Sequence, residues 1–71
     1  MRYIVVNKSN AERYGVTAKS HIMIDNSIVM NELEVINNNK LNGSFDDRAE
    51  MLGATAIYRS ARQLKDFLKI N

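Results

Sequence analysis

The 71-residue sequence has no cysteine, no proline and no tryptophan, only three glycines and a single histidine. Without cysteine there is neither a disulfide nor a thiolate ligand, so two of the usual staples of small folds are excluded. One imidazole, His21, cannot build a zinc or iron site with others of its kind. Neither Gly-x-Gly-x-x-Gly nor Gly-x-x-x-x-Gly-Lys-[Ser/Thr] occurs, so no phosphate-cradling loop is expected. No apolar run approaches the roughly 18–20 residues that cross a bilayer. Tyr3-Ile4-Val5-Val6 is too short for the apolar segment of a secretion signal, and Asn7 and Lys8 follow it at once. The expectation is a cytoplasmic protein with no membrane contact.

What is present is the composition of an ordinary globular chain, 45% hydrophobic and 25% charged. One domain over residues 1–71 is expected, with no repeat and no linker. A chain this short buries only about 60% of the surface its unfolded form exposes. Its stability must therefore come from close packing or from self-association. The net charge of +2 is unevenly placed. From residue 59 onward Arg59, Arg62, Lys65 and Lys69 face Asp66 alone.

Tyr3-Ile4-Val5-Val6 is β-branched and aromatic with apolar residues at every position, the pattern of a strand covered on both sides. Ser9-Asn10-Ala11-Glu12 reads as a capping box opening a short helix that Gly15 closes. His21–Ile24 and Ile28–Met30 read as hairpin arms joined by Asp25-Asn26-Ser27, residues that tolerate left-handed backbone angles. Asn31–Ile36 fits a helical turn capped by Asn31 with Glu34 at the third position, or a continuation of extended chain; the helical turn is preferred. A polar loop carrying one apolar residue, Leu41, runs to Gly43.

Ser44 then caps a helix with Asp46 and Asp47 in its first turn and Phe45, Ala49 and Leu52 along one stripe, and Gly53 ends it. Thr55–Tyr58 reads as a short strand. Ser60-Ala61-Arg62-Gln63 opens a last helix with Ala61, Leu64 and Leu68, flanked by Phe67, on its buried face. The expected fold is α+β: a small mixed sheet of three to four strands, ordered strand–short helix–hairpin–helix–strand–helix, with the helices packed on one face. The final helix–strand–helix segment suggests a right-handed crossover that sets the last strand parallel to the first.

Candidate chemistry is sparse. His21 and Asp25 are about 13 Å apart along an extended chain at about 3.3 Å per residue, and no nearby residue supplies a nucleophile or an orienting carboxylate. Asp46, Asp47 and Glu50 share one helical turn, where favourable interaction with the helix dipole accounts for them without a metal. Glu32 and Glu34 form no matched pair. Ser9, Ser44 and Ser60 each have a capping role and no adjacent base. No enzyme activity, no cofactor and no metal is expected.

Tyr58, Arg59, Arg62, Lys65 and Lys69 are the candidate interaction residues, a basic face for an anionic partner. Its bland reading is a solvated helix face. The leading expectation is a non-enzymatic interaction or regulatory module that presents its surface to a protein partner, with a homodimer in reach. An accessory protein of a phage or mobile element is one version of it, on size alone. The alternative is nucleic-acid binding, with the last helix tracking a phosphate backbone while Tyr58 stacks on a base.

Overall fold

The structure, a computed structural model, describes residues 1–70, with side chains described through Leu68. In chain order the elements are β1 (Tyr3–Asn7), α1 (Lys8–Arg13), a 3-10 turn at Ala18–Ser20, β2 (Met23–Ile24), β3 (Ser27–Asn31), α2 (Glu32–Asn37), α3 (Phe45–Met51), β4 (Ala56–Tyr58) and α4 (Ala61–Ile70). The strands form one sheet in the order β2-β3-β1-β4, with every neighbouring pair antiparallel. The α+β class expected from the sequence is the class of this fold.

Two details differ from the expectation. β4 runs antiparallel to β1, with Tyr58 opposite Tyr3 and Ala56 opposite Val5, so the last strand is not parallel to the first. A crossover does exist, but it joins β3 to β4 through α2 and α3. Both strands oppose β1 from either side and so run the same way. The first crossover, through α1, likewise joins β1 to β2 across β3. Two interleaved units of this kind make a split β-α-β, or ferredoxin-like, connectivity.

The second difference concerns the helices. Alternation along the central strands sends Ile4, Val6, Ile28 and Met30 to one face, where Ala11 of α1, Val35 of α2 and Phe45, Ala49 and Leu52 around α3 complete the main core. Val5 and Val29 point the other way and meet Leu64 of α4. The helices therefore do not all lie on one face: α4 covers the back of the sheet. The uninterrupted apolar run in β1 requires cover on both sides, and α4 supplies the second. On α4, Leu64 is buried and Leu68 packs against the small cluster, whereas Ala61 is exposed.

Short elements of this kind depend on their ends. β1 passes into α1 without a linker, and the cap is Asn7, whose Oδ1 accepts the Ser9 N–H at 2.9 Å. Ser9, expected as the cap, already lies inside the helix. Gly15, at φ +79°, ends α1 as expected: its N–H donates to Glu12 O, and the Val16 N–H donates to Ala11 O. Asp25 and Asn26, at φ 45° and 68°, form a two-residue turn of the mirror-image type that matches strand twist, with Ile24 facing Ser27. Asn31 and Glu34 cap α2 reciprocally, as do Ser44 and Asp47 at α3.

The segment between α2 and α3 is held at several points. Leu41 is buried in the main core, and the Asn38 side chain donates to Tyr14 O at 3.1 Å. Arg48 of α3 donates through Nε to Gly43 O at 2.9 Å, and through Nη1 to Val35 O at 3.2 Å and Asn38 O at 2.9 Å. These carbonyls belong to the end of one helix and the loop after it, groups that lack intrahelical donors.

Candidate functional site

The basic face read from the sequence is divided by the sheet. Tyr58 is partly buried on the α4 side, with its ring centroid 5.4 Å from that of Phe67 and the two rings tilted by 37°. Arg59 is exposed, and its backbone N–H donates to the Gln63 side chain at 2.9 Å. Its side chain borders a hollow of about 530 Å³ with Arg2, Asp46 and Ile57. Ile57 pairs with Ile4 and shares the main-core face, opposite the one α4 covers. Arg62 and Lys65 are exposed on α4. They are the two candidates the structure keeps together, one turn apart. The Lys69 side chain lies outside the described residues.

A second cluster forms around His21, whose side chain is only 9% exposed. Its Nε2 meets the carboxylate of Glu34, a partner thirteen positions away that the sequence did not indicate. Its Nδ1 lies 2.8 Å from Thr17 O and 3.2 Å from the Ser20 hydroxyl. A serine, an imidazole and a carboxylate in contact invite comparison with a nucleophilic relay. The partners decide otherwise. Thr17 O is a carbonyl and can only accept, so the Nδ1 position facing it is a donor and offers no lone pair to the Ser20 hydroxyl. Glu34 is doubly engaged, since its Oε1 accepts the Asn31 N–H at 3.0 Å. As arranged, His21 ties the segment before β2 to the first turn of α2. A shallow hollow of about 300 Å³ adjoins the tie, lined by Thr17, Ser20, His21, Glu34 and Asn38 among others.

The third cluster joins Arg2, the residue before β1, to α2 and α3. Arg2 donates through Nε and Nη2 to the two oxygens of Glu32, at 3.0 and 3.1 Å, and its backbone N–H donates to Oε1 at 3.0 Å. The same guanidinium lies 4.0 Å above the Phe45 ring. The hydrogen bonds from the Arg2 side chain, and then from its backbone, hold the Glu32 carboxyl down at about 2. Asp47 is lowered too, first by the backbone N–H of Ser44 and then by its hydroxyl.

Among the described residues the other acids do not converge on His21, which hydrogen-bonds with Thr17, Ser20 and Glu34. Asp47 caps α3, Asp46 borders the hollow with Arg2 and Arg59, and Glu50 is exposed. Ser44 and Ser60 cap α3 and α4 through the N–H groups of Asp47 and Gln63. Among the described residues no three of His, Cys, Asp or Glu are grouped to hold a metal, and no helix is long and apolar enough to cross a membrane.

The exterior also carries apolar side chains. Ile22 and Met23 are exposed beside the outer edge of β2, and Leu33 and Ile36 lie one turn apart on α2, Leu33 being 57% exposed. Ile57 is 48% exposed on β4. No family model, curated protein or solved structure matches the chain.

Proposed function

We propose that this protein is a non-enzymatic interaction module, of the accessory kind its size suggests, acting by presenting its exterior to a protein partner. The observation that carries this reading is the outward pair Leu33 and Ile36 on α2. Two large aliphatic side chains at i and i+3 form a helical docking stripe. They stay exposed while the neighbouring Val35 fills the core. The polar groups that might do chemistry are engaged in caps and ties instead, which favours recognition over reaction.

The test is capture on the tagged protein in its own cell, followed by transfer of the captured protein to purified components. Leu33→Ser with Ile36→Ser is expected to weaken the purified complex at least tenfold while leaving the circular dichroism spectrum intact. A complex indifferent to that double change sinks the reading.

Nucleic-acid binding is the second reading, favoured by the exposure of Arg62 and Lys65 on α4. It is weakened by the packing of the Phe67 ring against Tyr58 and by the position of Arg59 beside Asp46. Arg62→Glu with Lys65→Glu abolishes a gel shift at low salt if this reading holds; the absence of any shift by the unaltered protein removes it.

A further inference from the structure

We propose that β4 is where two copies of this chain join, edge to edge about a two-fold axis, continuing the sheet from one copy into the other. The proposal names one partner for the exterior described above; it does not depend on the α2 stripe.

The sheet has two edges, and they differ. β2 has only two residues and ends in a tight turn, and very short edges are poor templates for further pairing. β4 has three residues, Ala56-Ile57-Tyr58, preceded by Thr55. β4 is itself short and is followed by Arg59, but Thr55–Tyr58 carries no proline, lysine or other charge, the side-chain devices that usually keep a strand edge from pairing.

Ile57 sits at the centre of this edge. Its cross-strand partner, Ile4, is completely buried, yet Ile57 itself is half exposed. Beside it is the hollow of about 530 Å³ that it lines with Arg2, Asp46 and Arg59. Of these, the Arg2 guanidinium is committed to Glu32. No ion pair of Asp46 or Arg59 is found among the described residues. The hollow is thus lined by one half-exposed aliphatic side chain, Ile57, and by charges of both signs, with Asp46 also within electrostatic reach of Arg2.

That pattern fits a second copy. A strand meeting its own copy about a two-fold axis is antiparallel by symmetry, the pairing used throughout this sheet. Centred on Ile57, the proposed pairing sets the two Ile57 side chains against each other, with each Arg59 turned to the other copy's Asp46 at the rim. A rim of one sign would repel its copy; this one attracts it. The contact is small, so the dimer is expected to be weak and to dissociate on dilution.

Sedimentation equilibrium of the full chain from about 5 to 500 µM reads the prediction directly. The expected result is an average mass rising from one chain towards two. Ile57→Lys, at a half-exposed site, is expected to hold the protein at one chain throughout. Arg59→Asp is expected to weaken association at least tenfold, and Asp46→Arg added to it to restore association. A single-chain mass at all concentrations overturns the proposal, as does a dimer that both Ile57→Lys and Arg59→Asp leave unchanged. The complex with a captured protein is tested through Leu33 and Ile36, so either claim can fail while the other stands.

Discussion

Arg48 shows how much of this small structure rests on single polar side chains. Its guanidinium satisfies three carbonyls, those of Val35, Asn38 and Gly43, and so fastens α3 to the end of α2 and the loop between them. Arg48→Met keeps the aliphatic stem and removes the donors. Unfolding in urea is expected to show a loss of about 1–3 kcal/mol, since hydrogen bonds to a charged group are the stronger kind. Gly43 is equally constrained. It sits at φ +93°, and an added Cβ would lie 2.7 Å from Asp47 Oδ2 and 2.9 Å from Asp47 Cβ. Gly43→Ala therefore combines backbone strain with disruption of the α3 cap, for an expected loss of about 2–4 kcal/mol in the same assay. Glu32 sets the response to acid. Its carboxyl falls from an ordinary 4.5 to about 2 in the folded chain. A carboxyl lowered on folding contributes fully above its unfolded value and loses that contribution as pH falls towards the folded one. Stability is thus expected to decline from about pH 4.5 down to about 2, and Glu32→Gln to flatten part of that decline in urea titrations at stepped pH. Asp47, shifted the same way, keeps the remaining slope from vanishing.

Elements whose signals are local were legible in the sequence. The caps of α2 and α3 lie within four consecutive residues, Asn31–Glu34 and Ser44–Asp47, and both form as read. The cap of α1 was misplaced because Ser9 and Glu12 match the same pattern, while Asn7, at the end of β1, was nearer the true start. The His21–Glu34 contact was not legible. It exists only once the hairpin has turned and α2 has followed β3 without a linker, which no spacing rule encodes. The direction of β4 was hidden for the same reason, because α2 and α3 together decide on which side and in which sense the chain returns. The candidate face failed in part where it crossed from β4 to α4: residues adjacent in sequence, Tyr58 and Arg59, fall on opposite sides of the sheet. The hairpin turn is a local feature that can be improved. Asn26 holds φ 68°, which glycine adopts without penalty, so Asn26→Gly is expected to raise the melting temperature and to stabilise by about 0.5–1 kcal/mol.

At the scale of the molecule, the sheet separates two cores of unequal size. The main one joins Ile4, Val6, Ile28, Met30 and Leu52 with α1, α2 and α3, and all five of those side chains are fully buried. The other is held by Val5, Val29 and Leu64, each 5% to 7% exposed, with Tyr58 and Leu68 at its margin. Local opening follows the weaker apolar cover. α4 is therefore expected to detach before the sheet opens, and native-state hydrogen exchange is the measurement that separates the two events. Amides of α4 should exchange through a lower-energy opening than those of β1 and β3. Leu64→Ala should lower that opening free energy by about 2 kcal/mol and leave the central strands little changed. Leu52→Ala, which removes a completely buried side chain from the main core, should instead destabilise the whole chain by about 3–5 kcal/mol. If α4 amides exchange only with global unfolding, the two cores act as one unit. Should α4 open alone, Arg62 and Lys65 are carried on a layer that can move relative to the sheet. β4, paired to β1 and lined with Ile57, would then keep its edge in place whether or not α4 is docked.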